Sequence, residues 1–112
     1  MNMIKEIREN LGMEIRPNSS GFEYLEAVVR KDDIELLRSL LIKHLGPAAK
    51  EPGKEANFPI KIQRLVDSMG GLRMKQSFFF RQEDNHKVEY AALWPWESNP
   101  EKITLKAGVG LV

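Results

Sequence analysis

The chain has 112 residues, of which 42% are apolar and 29% charged, with a net charge of +1. That length suits one domain with its own core, and the balance of apolar and charged residues excludes an intrinsically disordered chain. There is no cysteine, which excludes disulfides, zinc–thiolate sites and thiol catalysis.

The opening segment Met1-Asn2-Met3-Ile4-Lys5-Glu6 lacks the apolar run of a secretory signal. No uncharged apolar stretch approaches the roughly 20 residues of a membrane helix. A cytoplasmic protein with no membrane association is the expectation. The charge is unevenly spread: residues 43–75 carry seven basic groups (Lys43, Lys50, Lys54, Lys61, Arg64, Arg73, Lys75) against three acidic, whereas the flanking segments are slightly acidic. Lysines commonly decorate solvated surfaces, so this middle segment is only a weak pointer to an anionic partner.

Met3, Ile4, Ile7 and Leu11 recur at helical spacing and predict a short amphipathic helix over 2–11, with Gly12 at its C-terminal side. Pro17-Asn18-Ser19-Ser20-Gly21 is a turn cluster between residues 13–16 and 22–30. These two segments read as a hairpin, although Phe22, Leu25, Val28 and Val29 also fit a helical face. Asp32-Asp33-Ile34-Glu35 reads as a capped helix start. Ile34, Leu37, Leu41 and Leu45 then form a stripe, widened by Leu36, Leu40 and Ile42, and Gly46-Pro47 ends the helix. A loop over 47–57 leads to a further helix over 59–69, with Pro59 in its first turn and Ile62, Leu65, Val66 and Met69 on one face. Gly70-Gly71 stops it.

From Leu72 onward the pattern changes to alternation, in runs over 72–82, 87–94 and 102–109. Burial favours a hairpin loop with an odd number of residues, pairing Phe80 with Tyr90 and setting Phe78, Ala92 and Trp94 on one core face. That register leaves Arg73, Lys75, Phe79 and Arg81 on an outer face, joined by Lys102, Thr104 and Lys106. The expected architecture is one α+β domain over residues 1–112. Its antiparallel sheet has three to five strands, ending in a C-terminal three-stranded meander, with the two main helices packed on one face.

Chemical motifs are sparse. The two histidines are separated: His44 falls at a helix end, where its charge suits the dipole, and His86 in a charged turn. No spacing of histidines and carboxylates suggests a metal site, and Ser77, Ser19, Ser20, Ser68 and Ser98 lack the frame of a nucleophile. Pro52-Gly53-Lys54-Glu55 lacks the second glycine and the hydroxyl of a nucleotide phosphate loop. A catalytic site, a cofactor and a metal are therefore not expected, although groups converging in space can build a site that no motif reveals.

Two binding readings remain. Trp94-Pro95-Trp96 closes a strand, tryptophan is enriched at interface hot spots, and the apolar C-terminal segment resembles an edge that pairs with a partner. A protein interface or self-association through Phe79, Trp96, Val109, Leu111 and Val112 is the first expectation. The alternative is polyanion or single-stranded nucleic-acid binding by Lys50, Lys54, Lys61, Arg64, Arg73, Lys75 and Arg81, with a base stacked on Phe79.

Overall fold

A computed structural model describes residues 2–21 and 23–112. It is α+β, built on a five-stranded antiparallel sheet of β1 (Glu14–Ile15), β2 (Tyr24–Arg30), β3 (Ser77–Gln82), β4 (Lys87–Pro95) and β5 (Lys102–Leu111). The strand order is β1-β2-β5-β4-β3. The helices are α1 (Met3–Asn10), α2 (Ile34–Leu45) and α3 (Ile60–Ser68). The expected meander is formed by β3, β4 and β5, and β5 also pairs with β2, at Ala27 opposite Leu105 and Val29 opposite Ile103. The helical alternative for residues 22–30 thus gives way to a strand; Phe22, counted within that run, lies outside the described residues.

Helix ends follow local chemistry. Asn2 caps α1 by accepting from the Lys5 amide at 3.0 Å, and the C-cap is Leu11 rather than a left-handed Gly12. Ahead of α2 the expected Asp32 capping box is absent; residues Lys31–Asp33 form a 3-10 turn without a side-chain cap. Gly46, with φ of 85°, closes α2 in the region that favours glycine.

The hairpin loop has the odd length expected. Phe80 lies opposite Tyr90 and Gln82 opposite Val88, and the Glu83 amide donates to the Lys87 carbonyl, leaving Asp84, Asn85 and His86 as the tip. Asp84 fixes the tip by accepting from the amides of His86 (2.7 Å) and Lys87 (2.9 Å), which hold its carboxyl below the usual range. Below the tip, Glu89 shares a hydrogen bond with Glu83, and this, with partial burial, pushes its carboxyl up to about 7.

Both faces of the sheet are covered, which corrects the expectation that the main helices share a face. α1 and α2 cover Leu25, Ala27, Val29, Phe79, Ala91, Leu93, Leu105 and Ala107. On the opposite face, Ile62 and Val66 of α3 pack with Phe78, Val88, Tyr90 and Ala92, joined by Phe58 and Leu72. The cause is the run Phe78-Phe79-Phe80. Adjacent strand residues point to opposite faces, so burying consecutive aromatics needs a cover on each side. Phe78 and Phe79 are both fully buried. Phe79 is therefore a core residue under α2, with the Arg38 guanidinium 5.3 Å from its ring centroid, and not an exposed contact.

The strand expected over 72–82 is also shortened. It begins at Ser77, and residues 73–76 form a turn that leaves Met74 half-exposed instead of aligned with Phe78.

Candidate functional site

Two short connections meet at one end of the sheet, each held in shape from below. The first is the turn at residues 73–76. The Gln76 amide donates to the Arg73 carbonyl (3.0 Å), and the Gln76 side-chain oxygen accepts from the Arg73 amide (2.6 Å). Lys50 secures it: its backbone bridges to Phe78 in β3, and its buried ammonium donates to the carbonyls of Met74 (3.0 Å), Gln76 (2.8 Å) and Glu51 (3.2 Å). The Met74 carbonyl also accepts from the Gly53 amide (2.6 Å). Burial depresses the pKa of the Lys50 ammonium. Arg73, Met74 and Lys75 are left exposed on a fixed turn.

The second connection is the loop after β4. The Trp96 amide donates to the Lys102 carbonyl (3.0 Å), the Lys102 amide to the Asn99 carbonyl (3.0 Å), and the Asn99 side chain accepts from the Glu101 amide (3.1 Å). The Trp96 indole N–H donates to the Thr104 hydroxyl at 2.8 Å, which fixes the ring, and the Lys102 ammonium lies 5.1 Å from its centroid. Trp96 is therefore partly buried and held in one orientation. Between the two connections lies a groove of about 470 Å³, lined by Arg73, Met74, Lys75, Gln76, Pro95, Trp96, Glu97 and Pro100. Arg73 and Glu97 meet across it at 3.5 Å, both largely exposed.

Met74 also borders a second groove, of about 400 Å³, between α3 and the 50–58 segment; its lining includes Lys50, Lys54, Asn57, Phe58, Gln63 and Leu72. The two hollows thus share Met74 as a ridge. Chemically they offer apolar side chains, fixed amides and a few cations. Among the described residues no cluster of three or more histidines and carboxylates is placed to hold a metal ion. Neither histidine lines these grooves: His44 sits 3.4 Å from Glu6 where α1 meets α2, and His86 is in the hairpin tip.

The residues anticipated from sequence are dispersed. Trp96, Arg73 and Lys75 come together at the groove, joining members of both expected sites. Lys50 is 6% exposed with its donors committed to carbonyls, so it is a strut and not an anion ligand. Lys61 and Arg64 lie on α3, where Lys61 donates to the Asn85 carbonyl at 3.2 Å, and Arg81 stands opposite Glu89 in the hairpin. Lys102, Thr104 and Lys106 do not join Arg81. The β4–β5 register sets Thr104 opposite Trp94 and Lys106 opposite Ala92, on the Phe78 face. There Lys106 covers the Trp94 ring at 4.2 Å and faces Glu26 at 3.7 Å. Burial alone would raise the Glu26 carboxyl, but hydrogen bonds from Tyr24 and Asn18, with the charge of Lys106, hold it below the usual range.

Val109 and Leu111 are exposed near the end of β5, and Val112 packs in the α3 cluster. The C-terminal backbone is used internally: Leu111 pairs with Lys87, and the Val112 amide donates to the His86 carbonyl. Sequence reasoning missed Met74, Gln76, Pro95 and Pro100 as groove residues. The available signal was the pair of prolines flanking Trp96, facing a turn whose glycine-rich entry breaks the strand pattern. Comparison with known proteins finds no matching family model, and no curated protein or solved structure similar enough to lend a function. No helix among the described residues is long and apolar enough to cross a membrane.

Proposed function

We propose that this chain is a non-catalytic binding or accessory module that engages a partner protein through the groove between Met74 and Trp96. The observation that carries this reading is the placement of two large apolar side chains, each on a hydrogen-bonded connection, across a hollow of about 470 Å³. A rigid tryptophan beside prolines and a flexible methionine offers contact area at little entropic cost, which is how interface anchors contribute affinity. The cysteine-free composition suits a reducing compartment such as the cytoplasm.

Selection of a phage-displayed random dodecamer library on the immobilised protein tests this reading. Recovered peptides should bind the parent and lose at least about tenfold in affinity on Trp96→Ala, the scale of a hot-spot truncation. The variant's amide spectrum reports that the fold is retained. Absence of enrichment, or peptides indifferent to Trp96→Ala and Met74→Ala, contradicts the proposal.

A further inference from the structure

We infer that the occupant of this groove is an extended acidic segment of a protein, an apolar residue seated between Met74 and Trp96 and its carboxylates taken by Arg73 and Lys75, with Glu97 holding the carboxylate position in the free state. The inference rests on the binding role proposed above and names the chemistry of the ligand.

Charge complementarity comes first. Arg73 and Lys75 stand on one wall of the groove, Lys102 lies over the Trp96 ring, and Lys54 lines the adjoining hollow. Lys75 has no ion-pair partner among the described residues. Against these cations the lining supplies Glu97 and, in the adjoining hollow, Glu55.

The second observation is the Arg73–Glu97 pair. It spans the mouth of the groove at 3.5 Å, with side chains 80% and 83% exposed. A pair so exposed contributes little to stability, because water and salt screen it and two long side chains lose freedom in making it. A ligand carboxylate can therefore replace Glu97 on Arg73 at small cost. Glu97 acts as a weak internal competitor.

The third is shape. Two hollows joined at the Met74 ridge suit a chain that lies across both, and exceed what a single side chain or small anion needs. A peptide fits better than a nucleic-acid strand. The basic groups do not form a track: Lys50 is buried on carbonyls, Arg81 faces Glu89, and Lys61 binds the Asn85 carbonyl. Phe79, the residue on which a base was expected to stack, is buried.

The same dodecamer selection supplies the probes. Recovered peptides should carry an apolar anchor with aspartate or glutamate nearby, and changing those acids to their amides should weaken binding. Arg73→Gln and Lys75→Gln should each lower affinity roughly 2- to 5-fold, the range of an exposed charge pair. Glu97→Gln should raise it by a similar factor. That gain should vanish in the Arg73→Gln background, since the competitor then has nothing to occupy.

Trp96-dependent peptides without acidic enrichment, bound equally as amides, would overturn this inference while leaving the binding role standing. Failure of any peptide to depend on Trp96 removes both. A fluorescent oligothymidylate that binds and competes with the peptides would overturn the choice of a protein segment. A Glu97→Gln gain that persists in the Arg73→Gln background would overturn the internal competitor.

Discussion

The ammonium of Lys50 has three hydrogens and three carbonyl partners, so backbone carbonyls take the place of the water that would otherwise solvate its charge. This single side chain ties the 50–58 segment to the turn that presents Met74. Replacing it by an apolar chain of similar length, Lys50→Met, takes the ammonium from all three carbonyls and leaves only the Gly53 amide on Met74 and the Lys54 amide on Glu51, which should cost about 1–3 kcal/mol in urea unfolding. The variant should also weaken peptide binding, because the turn loses its support; unchanged stability would show that the strut carries no energy. Glu89 supplies a residue-level pH dependence. Its carboxyl stands at about 7 in the fold against an ordinary value of 4.5, because Glu83 shares a hydrogen bond with it and burial disfavours its charge, while Arg81 acts in the opposite sense. A raised folded-state pKa means stability that is fully present below 4.5 and lost as the pH rises through about 7. Because the site is largely solvated, the effect is on the order of 1 kcal/mol rather than the full value of the shift. Glu89→Gln should therefore be more stable than the parent at about pH 8, and the advantage should shrink as the pH falls towards 4.5. An advantage that stays constant with pH would contradict the shared-proton pair.

Strands and helices assort by face. Because Phe78 and Phe79 are neighbours in β3, they report on opposite cores. Phe78→Leu and Phe79→Leu should each cost about 1–2 kcal/mol, as moderate losses of core volume do. Hydrogen exchange should separate them: Phe78→Leu loosens the amides of α3, and Phe79→Leu those of α2. Equal loosening of both helices by either change would contradict the two-faced arrangement. Much of this level was legible in the sequence. Periodicity located the helices within a residue or two, and the hairpin register followed from burying Phe78 with Tyr90 and Trp94. The allocation of helices to faces was not reached. The clue lay in Phe79, Ala91 and Leu93, apolar residues on a face assigned to solvent because Arg81 and Lys75 shared its parity. Lysines and arginines near strand ends reach water past a covered face, so their parity says little about what covers the middle.

Across the whole molecule the uneven charge visible along the chain, +1 in sum, is dispersed by the fold. The basic middle segment is not one surface: Lys50 is buried, Lys43 on α2 pairs with Glu6, Lys61 and Arg64 lie on α3, Lys54 lines the adjoining hollow, and only Arg73 and Lys75 reach the groove. The candidate site joins residues 73–76 to 95–100, and its adjoining hollow adds the 50–58 segment, so it depends on long-range pairing through β3, β4 and the Lys50 bridge. Sequence singled out Trp96, Arg73 and Lys75 separately, for different reasons. It did not join them, because no local pattern encodes proximity between connections about twenty residues apart. The most direct measurement is an amide- and indole-resolved NMR titration of the protein with a dodecamer selected on it. Shifts confined to residues 73–76, the Trp96 indole and residues 97–102, with smaller ones along 54–58, are the expected result. Shifts centred on α3, on the exposed Val109 and Leu111, or scattered without focus would contradict the groove as the working surface of this protein.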